Sequence, residues 1–426
     1  MTISSRFADR SAAAAAILAV TLSFAPAAAL PQDPQDPPPG TAGPLVGNVT
    51  AGTATLWMYY PATAECTVTY LRDDSDETER HASFDLIPEP AATGKSRPAR
   101  VTLTGLAPET RYRYRILVDG KGDPAWAGIF RTPPEPRKPS RLRVALTSCM
   151  KIGQPQASWY LLLAQRPDLH ITVGDTHYAD TTDPQVQWEH HVRYRNVPHF
   201  ATVIREVPTV AVWDDHDYGP NDSDGTAAGK EASLRGWKQF WANPPEGTAE
   251  IPGAFYRYSW GEVDFFVVDG RYHRSRDKDD DDEKKRMFGD AQFAWLLDGL
   301  RSSRAKFKAI ASGSTLDHST GDGWRIYTHE RRRLFDAIKE HGIGGVVYLS
   351  GDIHRSLVWE HHEWDRVGYP LVEVVSSGIA NSSTLSFATI DFDTTLADPT
   401  MRVRIIHGDG TVRDDRTWRL SSLGGW

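Results

Sequence analysis

Two cysteines in 426 residues are too few for a small-domain scaffold built on disulfides. Positive charge is also short: 48 Lys and Arg against 56 Asp and Glu give −8 at pH 7. That balance repels phosphodiester backbones, so no specific binding to nucleic acid is expected. Beyond residue 30 no apolar run is long enough to span a bilayer. No internal repeat sets up a solenoid, and no Gly-x-Ser-x-Gly elbow marks a serine hydrolase of that class. What is present, 40% hydrophobic and 24% charged residues, suits a soluble globular protein of two or three domains.

The first residues are set apart by their own pattern. Arg6 and Arg10 precede an apolar run from Ala12 to Ala25, and Ala27-Ala28-Ala29 supplies a small-residue cleavage site. Basic, apolar and small regions in that order predict a signal peptide over 1–29 and export to the periplasm or beyond. A membrane anchor would need a longer run, less rich in alanine. Residues 30–42, dense in Pro, Gln and Asp, read as an extended tether. In an oxidising compartment a Cys66–Cys149 disulfide is the plain expectation. The two lie in different predicted domains, which leaves Cys149 open to another role.

From residue 43 to 134 short alternating runs are separated by turn residues, as in an all-β sandwich. They include Thr53 to Tyr59, Thr67 to Tyr70, Arg100 to Leu103, Arg111 to Val118 and Ala127 to Thr132. The stretch Gly105-Leu106-Ala107-Pro108-Glu109-Thr110-Arg111-Tyr112 resembles the fibronectin type III signature, where a tyrosine pins a corner between strands. Prolines 133, 134, 136 and 139 end this region, since Pro this dense excludes helix and central strand. From residue 140 to 426 strand-like runs alternate with helical ones, the texture of an α/β layer structure. One helix is expected with Asp290 as N-cap and Phe293, Leu296, Leu297 and Leu300 inward; another runs from about Glu330 to Gly342.

The strand ends carry the chemistry. Val144–Thr147 leads into Ser148-Cys149, and Leu169–Val173 into Gly174-Asp175-Thr176-His177-Tyr178-Ala179-Asp180. Thr209–Val212 leads into Trp213-Asp214-Asp215-His216-Asp217, Phe265–Val268 into Asp269-Gly270-Arg271, and Val346–Leu349 into Ser350-Gly351-Asp352-Ile353-His354. In an α/β sheet the carboxyl edge is where ligands bind. So many carboxylates sharing a cleft would repel and protonate unless cations joined them. Oxygen donors favour hard ions, while a thiolate and a phenolate point to iron or another borderline ion. Two metals roughly 3.5–4 Å apart can clamp both oxygens of an in-line displacement at phosphorus.

This ordered set, with Asn221 following and Phe288-Gly289-Asp290-Ala291-Gln292 further on, resembles the PhoD-type alkaline phosphatases. These are calcineurin-like metallophosphoesterases. The resemblance implies a four-layer αββα catalytic domain behind the sandwich. It implies Fe3+ held by Cys149, Asp175 and Tyr178, with Asp175 bridging to Ca2+; zinc or manganese in their place stays open. Asp215, Asn221, Asp352 and His354 would complete the metal sites. His216 would face the phosphate as acid or charge stabiliser, and Arg271 would bind it. The implied reaction is hydrolysis of phosphomonoesters or phosphodiesters at alkaline pH through attack by metal-bound hydroxide.

Two other functions compete: a phosphodiesterase acting on lipids or teichoic-acid-like polymers, and an exported binding protein with a vestigial phosphatase scaffold. The pairs His190-His191 and His361-His362 are expected at the surface, because sequence neighbours do not face one point. His177 and Asp180 could either orient Asp175 and Tyr178 or lie at the surface.

Overall fold

The computed structural model describes residues 40–74, 78–318, 321–361 and 364–425. The expected signal peptide, nearly all of the tether and His362 lie outside these residues. The first region holds eight strands: β1 (Ala42–Gly47), β2 (Thr53–Pro61), β3 (Cys66–Arg72), β4 (Arg80–Ser83), β5 (Asp85–Leu86), β6 (Ser96–Thr104), β7 (Arg111–Val118) and β8 (Lys121–Arg131). They form two four-stranded sheets, β1-β2-β6-β5 and β4-β3-β7-β8. Alternation decides what each face does. On β2, Ala54, Leu56, Met58 and Tyr60 enter the core shared by these two sheets. Trp57 and Tyr59, on the other face, belong to the core of the following region. Trp57 Nε1 donates to the Gln239 carbonyl at 2.8 Å, and Tyr258 donates to that of Val49 at 2.7 Å. The expected tyrosine corner is present: Ala107 N–H donates to the Tyr112 hydroxyl at 2.8 Å.

The second region runs β9 (Arg141–Thr147), α1 (Ser158–Ala164), β10 (Leu169–Val173), α2 (Pro184–Arg195), α3 (Pro198–Glu206), β11 (Thr209–Val212), α4 (Asp215–Tyr218), α5 (Lys230–Phe240), β12 (Tyr256–Trp260), β13 (Val263–Val267) and α6 (Gly289–Ser302). It continues β14 (Phe307–Ala311), α7 (Thr328–Glu340), β15 (Val346–Ser350), β16 (Ser356–His361), α8 (Trp364–Val367), β17 (Leu371–Ser376), β18 (Ser386–Asp393), β19 (Thr400–His407) and β20 (Val412–Arg419). The five chemistry-bearing strands divide between two six-stranded mixed sheets. One has the order β11-β10-β9-β18-β19-β20, the other β12-β13-β14-β15-β17-β16.

Side-chain alternation stacks the layers. Phe265 faces inward and meets Phe392 of the other sheet at a ring distance of 6.4 Å, while Phe266 faces outward to Trp295 of α6 at 6.3 Å. On the opposite outer face, His170 of β10 meets Trp159 of α1 and Phe200 of α3. Helices therefore cover both outer faces of the paired sheets.

Several expectations need correction. Helix α6 is capped by Phe288, and Asp290 sits in its first turn, paired with Arg286 at 2.6 Å. The disulfide is not formed: Cys66 and Cys149 are both free and buried. His191 and His361 are buried rather than at the surface. His191 stacks on Phe240 at 4.6 Å, and His361 meets the Glu373 carboxylate at 2.8 Å. A histidine is cheap to bury when a ring face or a carboxylate receives it, and single-sequence spacing does not reveal such partners.

Candidate metal centre

Strands of both sheets end at one edge, and the backbone there is bent to turn side chains inward. Cys149, Asp175, Asp352 and His354 all have positive φ, at 62°, 52°, 71° and 55°. Left-handed backbone costs a non-glycine residue of order 1 kcal/mol, and such strain collects at functional sites. Asp214 is wedged between two glycines. A Cβ on Gly174 would stand 2.4 Å from the Asp214 Cβ, and one on Gly313 2.3 Å from its Cγ.

Three overlapping groups of donors result, the atoms of each within 4.8 Å of one another: Cys149, Asp175 and His354; Asp175, Asp215 and His216; Asp215, Asp222 and Asp322. Asp175 joins the first two groups and Asp215 the last two. The Cys149 thiol donates to Asp175 Oδ2 at 3.1 Å, and the Tyr178 hydroxyl donates to the same oxygen at 3.3 Å. Asn381 Nδ2 donates to the Tyr178 hydroxyl and to His354 Nε2, each at 2.9 Å. His216 Nδ1 is hydrogen-bonded to Asp180, and its ring lies 4.2 Å from that of Tyr178.

The electrostatics say what this edge needs. Burial pushes the Asp175 carboxyl well above the usual carboxylate range, and Asp215, Asp214 and Asp217 push it further. Asp352 is raised by burial and then by Asp322 and Asp214. Burial and Asp175 likewise raise the Cys149 thiol and the Tyr178 phenol. Asp175 Oδ1 and Asp214 Oδ2 are buried without a hydrogen-bond partner. Unsatisfied, mutually repelling oxygens beside a thiol, a phenol and imidazoles fit bound cations, which remove the repulsion and fill the empty acceptor positions.

The expected site residues are distributed as follows. Cys149, Asp175, Asp215, His216 and His354 enter the groups, and Tyr178 touches Asp175. Asn221 is exposed; its neighbour Asp222 joins instead, with its backbone N–H donating to Asp215 Oδ2 at 2.8 Å. Asp352 stands at the same edge, its N–H 3.3 Å from Ser148 Oγ, outside the three groups. Arg271, expected on the phosphate, is fully buried and held by carboxylates: Nε to Asp214 Oδ1 at 2.5 Å and Nη2 to Asp322 Oδ2 at 2.6 Å. Of the two residues read as either orienting or superficial, Asp180 orients His216, and His177 is fully buried.

Sequence reasoning missed Asp222, Asp322, Asn381 and Ser377, the last with its Oγ 3.1 Å from Cys149 Sγ. The last three follow β14 and β17, which end at the same edge. Their signal was weaker because Lys308 and Glu373 interrupt the apolar runs. Lys308 is buried with its Nζ donating to the Ala305 carbonyl at 2.8 Å, and Glu373 with Oε1 accepting from Ser350 at 2.7 Å.

The sequence profile of the PhoD-like phosphatases matches residues 144–404, from β9 into β19. The chain belongs to the PhoD-like phosphatase family. Alkaline phosphatase D of Bacillus subtilis (strain 168) is 23% identical over 322 residues, taking in 63% of this chain and 55% of that protein. The match thus spans about half the length of that relative. A solved structure of PhoD superposes with a TM-score of 0.74 at 17% identity, covering 91% of this chain and 90% of that one. Purple acid phosphatase PPD1 from yellow lupin seeds gives 0.67 at 14% identity, covering 89% and 74%. This chain therefore shares the fold of both solved structures.

Proposed function

We propose that this PhoD-like protein is an exported metal-dependent phosphatase that hydrolyses phosphomonoesters, phosphodiesters or both at alkaline pH. The convergence of Cys149, Asp175, Asp215, His216 and His354 on one edge carries the reading. Cys149, Asp175 and Tyr178, with His354, would hold Fe3+; Asp215, with Asp175 shared, would hold Ca2+, and Asn221 and Asp352 remain candidates for completing the set. Bound there, such cations neutralise phosphoryl charge and make water a stronger nucleophile.

The chain's own groups do the rest. His216 is held by Asp180 through Nδ1, which leaves Nε2 to carry a proton toward substrate. As water adds to phosphorus and the ester bond breaks, the departing oxygen takes that proton, and the proton the water sheds replaces it on His216 Nε2. Arg271 is read as a counter-charge for Asp214 and Asp322 rather than a phosphate ligand. Export rests on the sequence of residues 1–29. The paired sheets over 42–131, with their tyrosine corner, support a fibronectin III-like sandwich ahead of the catalytic domain.

The test is turnover of p-nitrophenyl phosphate and bis(p-nitrophenyl) phosphate from pH 6 to 10, before and after chelation. Turnover of either, lost on chelation and restored by iron with calcium, is expected. The ratio of the two rates separates phosphatase from phosphodiesterase. No turnover of either by metal-loaded protein would move the binding-protein reading to first place.

A further inference from the structure

Helix α2 reads Pro-Gln-Val-Gln-Trp-Glu-His-His-Val-Arg-Tyr-Arg and shows no apolar stripe. Yet Gln187, His191 and Arg195 are each only 2% exposed. Four positions apart, they form one row on the helix. Burying such a row is unfavourable unless its polar atoms are met, so its partners reveal its purpose.

Those partners are the segments that carry the candidate ligands. Gln187 Nε2 donates to the carbonyls of Thr181 at 2.7 Å and Asp217 at 3.1 Å, and to Ser233 Oγ at 3.1 Å. It therefore ties the segment beginning at Asp175 to the helix carrying Asp215 and His216. Asp217 makes the reciprocal tie. Its Oδ1 accepts the N–H groups of Thr176 at 2.8 Å and His177 at 3.1 Å, and its Oδ2 accepts that of Asp214 at 3.1 Å.

One turn further along, Arg195 Nη1 lies 3.4 Å from His191 Nδ1. A guanidinium only donates, so His191 Nδ1 accepts and the ring proton sits on Nε2. That nitrogen faces His177 Nε2 at 3.3 Å, and His177 stands between Asp175 and Tyr178. Arg195 is itself clamped over the rings of Trp57 at 5.0 Å and Trp241 at 4.4 Å.

We propose that Gln187, His191 and Asp217 are positioning residues that hold the 175–183 segment against the Asp214–Tyr218 turn and so set the spacing of Asp175 and Asp215. The inference rests on the metal-centre reading above. None of the three supplies a ligand; each acts through the chain that carries one. Residues that orient ligands typically change metal affinity 10–100-fold when replaced.

The test uses the full chain with Gln187→Met, which keeps length but cannot donate, and separately His191→Leu. Val203→Ala, which opens a cavity in the apolar core at α3, controls for lost stability alone. Iron and calcium per chain are measured by elemental analysis, with the EDTA concentration that strips half of each. The expected result is that both α2 variants fold, by circular dichroism, and release metal at roughly ten-fold lower EDTA or less. Val203→Ala keeps the wild-type midpoint despite a lower melting temperature. Folded Gln187→Met and His191→Leu with wild-type metal retention overturn the proposal, as does equal loss in Val203→Ala. If one α2 variant does not fold, the other decides. Wild type that takes up no metal overturns the metal-centre reading, and the proposal with it.

Discussion

Replacing Arg271 with Gln tests what the buried guanidinium is for. It sits 2.5 Å from Asp214 Oδ1, 2.6 Å from Asp322 Oδ2 and 3.7 Å from Asp215 Oδ1. Burial and Asp215 raise the Asp214 carboxyl while Arg271 lowers it, leaving it at about 6. At pH 8 the Asp214 carboxyl is then charged beside the guanidinium. Removing one partner of a buried ion pair costs about 3–5 kcal/mol, because the other is left uncompensated. With an unfolding entropy of ~0.8 kcal/mol/K for a folded body of this size, the midpoint should fall by about 4–6 °C. The assay is calorimetric melting at pH 8 of wild type, Arg271→Gln, Asp214→Asn and the double variant. The double variant should lose about 2 kcal/mol less than the two single losses together, since neighbours in one network do not add. Strict additivity, or an unchanged midpoint with turnover abolished, would refute this and return Arg271 to the phosphate.

Three further predictions follow from other parts of the molecule. Burial raises the Glu330 carboxyl to about 7, against the N–H groups of Met287 and Phe288 that lower it. The folded state thus holds that proton more tightly than the unfolded chain, and the stability present below pH 4.5 is lost as pH rises to 7. Relative to Glu330→Gln, wild type should lose about 3 kcal/mol across that window, measured by denaturant melts; parallel profiles would contradict it. Gly313→Ala should lower the midpoint sharply because its Cβ meets Asp214, whereas Gly321→Ala, with nothing within 4 Å, should not; equal shifts would refute the wedge. His216→Asn should slow an alkyl phosphate by about 100-fold or more, and p-nitrophenyl phosphate far less, because only the poor leaving group needs a proton. Equal losses would remove His216 from that role.

How much could be read in advance follows from the kind of signal each residue leaves. Strands β10 and β11 appear with their expected bounds, because a short run rich in β-branched residues that stops at a cluster of Asp leaves little choice. The division of five strands between two sheets could not be read, since it depends on pairing across distances that alternation does not encode. Helix α2 was opaque for a different reason: its buried residues mix Gln187, His191 and Arg195 with Trp188 and Tyr194, so periodicity pointed nowhere. At the site, residues inside a motif were legible, as with Cys149, Asp175 and His354. Asp322 and Asn381 arrive from loops whose position the fold alone determines. Arg271 was placed at the right edge, but a strand-end position says nothing about the Asp214 and Asp322 carboxylates that turn toward it.

Metal content of the purified full chain, measured by elemental analysis beside Cys149→Ala, is the most direct test of the central claim. The account predicts about one iron together with calcium per wild-type chain, and loss of the iron in the variant, where the thiol no longer stands against Asp175. A wild-type protein that stays metal-free after incubation with iron and calcium, or a Cys149→Ala protein that keeps its iron, would contradict it.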